Sequence, residues 1–220
     1  MGKMDSRTYI LGSKPSYVTQ ILQELRDREI QQDRMRFRSN LEKLGELLAY
    51  EISRSLSYLP AEVQTPLGFL EVPVLESQPV VVSVLRAGLP MHQGILRLFD
   101  RADNGFVSAY RHYMKGSHEF EVRVEYLSLP DISGRDLILA DPMIATGRSL
   151  HLSYQAIREA GEPARVFIAG AIASEEGLAY LQRNIPHAHF YLAALDRELT
   201  AEAYIVPGLG DAGDLAFGPK

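Results

Sequence analysis

The stretch DLILADPMIATGRS, residues 136–149, has the residue types needed to hold an anion: an apolar run ending in an acid, then small and permissive residues, then a helix start. Leu137 to Ala140 suits a buried parallel strand. Ser149 with LHLSYQAIREAG suits a helix with Leu150, Ala156, Ile157 and Ala160 among its apolar positions and Gly161 as its stop. Between them, Ala145, Thr146, Gly147 and Ser149 let backbone N–H groups approach an anion closely, and the helix N-terminus adds the positive end of its dipole. That chemistry is a phosphate cradle. Asp141 would repel a bare anion, so it should face something else, either ribose hydroxyls or a phosphate-bound Mg²⁺. An acid beside a phosphate loop points to a sugar phosphate. The plainer reading of the same residues is a strand-to-helix turn capped by Ser or Thr.

A second run, Tyr204-Ile-Val-Pro-Gly-Leu-Gly-Asp-Ala-Gly-Asp214, is too rich in Gly and Asp for a strand or helix and is expected to be an ordered loop. Gly208, Gly210 and Gly213 match G-x-G-x-x-G, but too little chain follows for the helix and second strand of a dinucleotide fold. Closely spaced glycines can instead present backbone N–H and C=O groups to the edge of a flat heterocycle. A flexible tail is the alternative.

Two arginines follow predicted strands. PVVVSVL (79–85) is a continuous apolar run that leads into Arg86-Ala-Gly-Leu-Pro90 and the helical MHQGILRLF; GFVSAY (105–110) leads into Arg111. In open α/β sheets ligands bind outside the carboxyl ends of the strands. A guanidinium there, always charged and shaped as a planar fork of donors, suits a diphosphate. A lone arginine after a strand could equally be a surface salt bridge.

The Asp-Pro-Met-x-Ala-Thr-Gly loop resembles the ribose-phosphate loop of type I phosphoribosyltransferases in its uracil phosphoribosyltransferase form. Ile-Val-Pro-Gly-Leu-Gly-Asp-Ala-Gly-Asp is similar to that family's uracil-recognition loop almost residue for residue. The resemblance runs from about residue 15 to the C-terminus. It implies that Asp141, Pro142, Met143, Ile144, Ala145, Thr146, Gly147, Arg148 and Ser149 bind phosphoribosyl diphosphate and that Arg86 and Arg111 contact its diphosphate. It also implies that Ile205, Gly210, Asp211 and Ala212 contact uracil, with Asp211 beside the donor as well. Asp141, Arg111 and Asp211 are the expected catalytic residues, and Mg²⁺ is expected to arrive on the diphosphate rather than on protein ligands. The implied fold is α/β of the type I phosphoribosyltransferase kind: a central, mainly parallel sheet flanked by helices, with a small hood and a β-hairpin arm. A homo-oligomer, dimer or tetramer, is implied too, while GTP activation belongs to only some members.

The sequence departs from the family pattern at Arg148, where Gly is usual; at His112-Tyr-Met-Lys-Gly, where an acidic continuation is usual; and at Leu215, in place of Arg. These departures leave room for a non-catalytic or regulatory protein of the same fold that binds UMP or the donor. An RNA-binding version would need a basic face, and Arg26, Arg28, Arg34, Arg36 and Arg38, interleaved with acids, are the nearest candidates.

Composition agrees. The 220 residues, 46% of them apolar, suit a single phosphoribosyltransferase domain with a core over about 75–195, the N-terminal helices and residues 196–220 contributing to the hood. A net charge of −5 argues against nucleic acid as the main partner. The absence of cysteine removes thiolate chemistry, disulfides and Cys-ligated zinc, and the six histidines show no metal spacing. No apolar run is long enough to span a membrane and MGKMDSRTY lacks a signal-peptide core, so no membrane partner and a cytoplasmic location are expected.

Helices are expected at 15–25 and 41–56, the latter with Leu41, Leu44, Leu48 and Ile52 on one side. Strands are expected at 79–85, 105–111, 164–172 and 189–195, with a helix opened by Ser174-Glu-Glu. A hairpin with a flexible tip at Lys115-Gly-Ser is expected over HYMKGSHEF and the alternating EVRVEYLSLP, either as the arm or as a surface hairpin without function. For a displacement at an anomeric carbon no covalent catalyst is needed, because the ring oxygen stabilises an oxocarbenium-like transition state.

Overall fold

The computed structural model of the chain describes residues 6–113 and 120–219, with backbone alone for 109–113 and 120–123. In chain order the elements are β1 (Thr8–Ile10), α1 (Tyr17–Arg26), α2 (Arg34–Ser53), β2 (Tyr58–Thr65), β3 (Gly68–Leu75), β4 (Val80–Leu85), α3 (Gly88–Leu98) and β5 (Asp103–Tyr113). There follow β6 (Phe120–Ser128), β7 (Asp136–Ala140), β8 (Met143–Ile144), α4 (Arg148–Glu159), β9 (Arg165–Ser174) and α5 (Glu175–Asn184). The chain ends with β10 (His189–Asp196), β11 (Glu198–Leu199), β12 (Ile205–Val206) and α6 (Ala212–Phe217).

The main sheet runs β1-β10-β9-β7-β4-β5-β6, with β8 added to β9. All its pairings are parallel except β5 with β6. The apolar runs of β4 and β7 are central strands, which explains why Val80, Val81, Val82, Leu137, Ile138 and Leu139 are all fully buried. One face is covered by α4 and α5, through Leu150, Tyr154, Ile157, Leu178 and Leu181. The other is covered by α2 and α3, through Leu48, Ile52, Met91 and Ile95. From β4 the chain winds outward to β5 on one side, and from β7 to β9 and β10 on the other. The winding reverses between β4 and β7, so the crevice outside their carboxyl ends is the sheet's switch point.

The boundaries sharpen several expectations. The helix expected at 41–56 begins at Arg34, because Asp33 accepts hydrogen bonds from Met35 N (3.0 Å) and Arg36 N (3.1 Å) and Phe37 is buried. Residues 58–75, which sequence periodicity leaves unassigned, form a separate antiparallel hairpin. Its turn is closed by Leu67 N (3.2 Å) and Gly68 N (3.1 Å) on Thr65 Oγ1. The hairpin expected over 112–130 is the antiparallel β5–β6 pair, an extension of the main sheet with a register shift at Ser108/Ala109. Its tip at Lys115-Gly-Ser lies outside the described residues. The C-terminal run, expected to be loop throughout, contains β12 at its start and α6 at its end. Among the described residues no helix is long and apolar enough to cross a membrane.

Candidate functional site: the 141–149 loop and the C-terminal loop at the sheet's switch point

The loop after β7 is pinned by main chain. Asp141 N donates to Ala169 O (3.0 Å), Ile172 N donates to Pro142 O (2.9 Å), and Met143 and Ile144 pair with Ile172 and Ala173 of β9. Ser174 Oγ donates to Ala145 O while also accepting from Gly177 N (2.8 Å), so one hydroxyl fixes the loop and caps α5. Gly147 then takes φ +74°, a left-handed turn that a side chain would strain. A Cβ there would also lie 2.8 Å from Gly177 O and 2.9 Å from Leu181 Cγ.

α4 starts at Arg148 with no side-chain cap and no acid in its first turn. The expectation of a Ser- or Thr-capped turn is therefore not met: the N-cap is Gly147, and the first-turn N–H groups are left for another acceptor. Thr146 Oγ1 accepts only a long bond from Arg148 N, 3.4 Å. Asp141, Met143, Ile144, Ala145, Thr146, Gly147, Ser149 and Leu150 line a small cleft of about 80 Å³. Arg148 is exposed at its rim.

Asp141 accepts from Met143 N (3.1 Å), yet loss of solvation dominates and pushes its carboxyl up from 3.8 to about 7. A neutral or half-neutral acid at the mouth of an anion cradle repels phosphate less than an ordinary carboxylate would. It can still hold hydroxyls.

Arg86 follows β4, whose Ser83 sits in register with Ala140 of β7, so the arginine emerges beside the loop that begins at Asp141. The Leu85–Arg86 peptide is cis. The Arg86 guanidinium reaches α6: Nη2 donates to Asp214 Oδ1 (3.2 Å) and to Gly218 O (3.3 Å). Arg111 does not stand after a strand, as its sequence context suggests. It lies inside β5, opposite Val122 of β6, because antiparallel pairing carries the strand on to Tyr113. The Arg111 side chain is outside the described residues.

The base loop closes over the same end of the sheet. Ile205 is buried with Leu209, Ala212 and Ala216 in a cluster against which Met143 and Ala145 of the donor loop pack. Ala212 N donates to Met143 Sδ (3.4 Å), the direct link between the two motifs. Asp211 caps α6, its Oδ1 accepting from Gly213 N (2.8 Å) and Asp214 N (3.0 Å). Gly210, at φ +95°, makes the turn before it. The structure thus links the two loops at Met143 and Ala212, with Ile205 packed in the same cluster and Arg86 tied to α6 behind Gly210 and Asp211.

Other members of this arrangement carry little sequence signal. Arg26 of α1 donates through both terminal nitrogens to the Asp196 carboxylate at 2.8 Å and to Gly208 O at 3.0 Å, and Gly208 N donates to Asp196 Oδ2 at 2.9 Å. Arg38 Nη1 donates to Ala216 O (2.6 Å) at the end of α6. Arg36 is engaged by Glu24, whose carboxyl its guanidinium, together with Asn40, holds down at about 2. Of the arginines that in sequence read as a possible basic face, Arg26 and Arg38 are therefore struts that reach inward, whereas Arg36 is paired with Glu24 at the surface and Arg28 and Arg34 are exposed. Asp196, at the carboxyl end of β10 and ahead of the base loop, is the strut that sequence position alone could have marked.

A mainly parallel sheet with an anion cradle at its switch point, a guanidinium after the neighbouring strand and a hood from the chain's end define a phosphoribosyltransferase of the type I fold. The family model for uracil phosphoribosyltransferase matches residues 13–219. A uracil phosphoribosyltransferase of Porphyromonas gingivalis is 45% identical over 211 residues, spanning 96% of this chain and 97% of the relative. One from Pyrococcus furiosus is 38% identical over 205 residues, 92% of this chain and 86% of the relative. The solved structure of the AQ2163 protein from Aquifex aeolicus superposes with a TM-score of 0.85 at 28% identity, covering 96% of this chain and 98% of that one. The chain belongs to the uracil phosphoribosyltransferase family.

Proposed function

We propose that the protein transfers the phosphoribosyl group of 5-phospho-α-D-ribose 1-diphosphate to N1 of uracil, giving UMP and diphosphate. The observation that carries this reading is the junction of the two motifs: Ala212 N of the base loop on Met143 Sδ of the donor loop, at the carboxyl ends of β4 and β7. In the reaction the bond from C1′ to the diphosphate oxygen breaks with its electrons leaving on diphosphate, the C1′–N1 bond forms, and N1 loses its proton.

The 5′-phosphate takes the uncapped N-terminus of α4 and the Thr146–Ser149 turn, with Arg148 at the rim adding positive charge. Asp141 holds the ribose hydroxyls, and Pro142, Met143, Ile144 and Ala145 keep it in place through β9. Arg86 and Arg111 stabilise the departing diphosphate. Uracil lies against Ile205, Gly210, Asp211 and Ala212. Ile205 and Ala212 are themselves buried and the Ala212 N–H is engaged by Met143 Sδ, so reading the base edge falls to the backbone of the exposed Gly210 and Asp211. Asp211 caps α6 through Oδ1 alone, which leaves Oδ2 to face the donor and the N1 proton.

Mg²⁺ belongs to the same reading. Mg²⁺ typically keeps several waters and is bound through one or two carboxylates together with substrate phosphates, so the ion would arrive mainly on the diphosphate. Bound there, it would neutralise diphosphate charge, with Asp141 or Asp211 as its available protein carboxylates.

The reading also takes residues 1–220 as one domain, with a core over about 75–195 and a hood from the N-terminal helices and residues 196–220, working in the cytoplasm. It takes the protein as a homo-oligomer, dimer or tetramer. The exposed apolar side chains of the β2–β3 hairpin, Leu67, Phe69 and Leu70, support that assembly.

The test is to mix purified protein with labelled uracil, phosphoribosyl diphosphate and Mg²⁺ and follow UMP, with cytosine, hypoxanthine and orotate as controls. UMP from uracil alone is the expected result. Donor binding without product from any base would overturn it in favour of a non-catalytic binder, a reading that no feature of the structure favours.

A further inference from the structure

Arg86 is held in a way that does not satisfy it. Its contacts to Asp214 Oδ1 and Gly218 O, at 3.2 and 3.3 Å, both come from Nη2 and are long for bonds from a charged donor. Nε is buried and has no partner. A buried guanidinium N–H left unpaired is costly, and such groups call for a state in which they are satisfied. The ion pair itself is more than a third exposed on both sides, so it is weak and readily exchanged. Asp214 meets the guanidinium through one oxygen only, whereas a diphosphate can bring several charged oxygens to the planar fork.

We infer that Asp214 is a positioning residue that competes with a diphosphate oxygen for Arg86 and gives up the guanidinium when the donor enters. The inference rests on the donor site proposed above. Asp214 lies within α6, whose start is tied to the donor loop by Ala212 and capped by Asp211, and whose end is tied to Arg38. Entry of the donor therefore releases one of the ties on the helix that carries the base loop, and leaves the others in place. Asp214 thus latches the base loop to Arg86, and the loop is freed to settle on uracil once diphosphate has replaced the latch.

The experiment is calorimetric titration of Mg²⁺-diphosphate into the wild type, Asp214→Asn, Asp214→Glu, Arg86→Ala and the Arg86→Ala/Asp214→Asn pair, with hydrogen exchange of residues 212–218 followed in the wild type. Loss of a competing surface-type ion pair predicts that Asp214→Asn binds diphosphate about threefold more tightly. Asp214→Glu should return to the wild-type value. In the Arg86→Ala background the Asn substitution should give no gain, which separates competition for Arg86 from a general change of charge. Diphosphate should speed exchange at the Gly218 amide, which donates to Asp214 O at 2.8 Å. Unchanged or weaker binding by Asp214→Asn, a gain that persists without Arg86, or unchanged exchange in the wild type would each overturn the latch. Failure of the wild type itself to bind diphosphate would instead overturn the donor site on which it rests.

Discussion

The donor loop and the base loop meet at Met143 and Ala212, yet they are held in opposite ways. Residues 141–149 are laid along the sheet by main-chain bonds to Ala169, Ile172 and the β9 ladder, so their geometry is that of the core. Residues 205–218 bury apolar side chains, but their course is set by three arginines reaching in from other elements: Arg26 to Asp196 and Gly208, Arg38 to Ala216, and Arg86 to Asp214. A phosphate site built on a strand end keeps one geometry through a catalytic cycle. A loop whose course depends on three side-chain struts should be the easier of the two to shift by a single substitution.

Asp141→Asn tests the rigid side hardest. Losing the ionised form of the carboxyl, whose two oxygens can both accept from ribose hydroxyls, should lower kcat/KM by about 100-fold above pH 7. Stability should move the other way. Between its ordinary value of 3.8 and about 7, the folded protein keeps a proton on Asp141 that the unfolded chain has released. Folding therefore weakens as pH rises across that window, and the penalty is fully present above it. Asn carries no charge and can still accept from Met143 N. The variant should thus melt higher than the wild type at pH 8, and the gap should close by about pH 4. Equal melting temperatures at pH 8 would mean that the desolvation of Asp141 is not a real cost.

Gly147→Ala attacks the same side through the backbone. Left-handed φ and the contacts with Gly177 O and Leu181 Cγ together should cost about 2–3 kcal/mol. Because the strain falls on the cradle, donor affinity should fall about tenfold or more, while the unfolding midpoint in urea moves down. A fall in stability with donor affinity intact would show that the cradle is softer than its main-chain anchoring suggests.

The same contrast explains what could be read from sequence. The donor side is local: one strand, one turn and one helix within residues 136–159, and periodicity with glycine placement found all three. Arg86 was legible because it directly follows a buried apolar run. The base loop was legible as a resemblance, but its struts were not, since Arg26 lies 170 residues from the Asp196 it pairs with and sits in a charge-rich stretch that looks like a solvated face. The β2–β3 hairpin went unassigned because most of its residues are exposed on both sides, so no apolar alternation marks it. Arg111 was placed one step wrong, since continuation of β5 depends on β6, a partner that the local sequence does not announce.

Arg26→Gln tests the strutted side at its strongest point. The change leaves the Asp196 carboxylate, only 8% exposed, without its bidentate partner. Gly208 N still donates to that carboxylate, and Arg26 retains partial exposure, so the loss should be about 2 kcal/mol rather than the full cost of breaking a buried pair. The uracil KM should rise about tenfold while diphosphate affinity stays unchanged. Equal losses at both ligands would mean that the two loops are one mechanical unit.

Arg38→Ala should have the smallest effect. Its bond to Ala216 O holds only the last turn of α6, and a single charged hydrogen bond of this kind is worth about 1 kcal/mol once partial exposure is allowed for. The expected result is a two- to fivefold rise in uracil KM with kcat little changed, because the groups that meet the donor are untouched. Arg38→Lys should recover part of the loss, since one ammonium donor can still reach a carbonyl, whereas it would not restore a bidentate pair such as that of Arg26. A fall in kcat as large as the rise in KM would place the end of α6 among the parts that move in the chemical step, and the base loop would then be a participant in catalysis rather than a holder of the base.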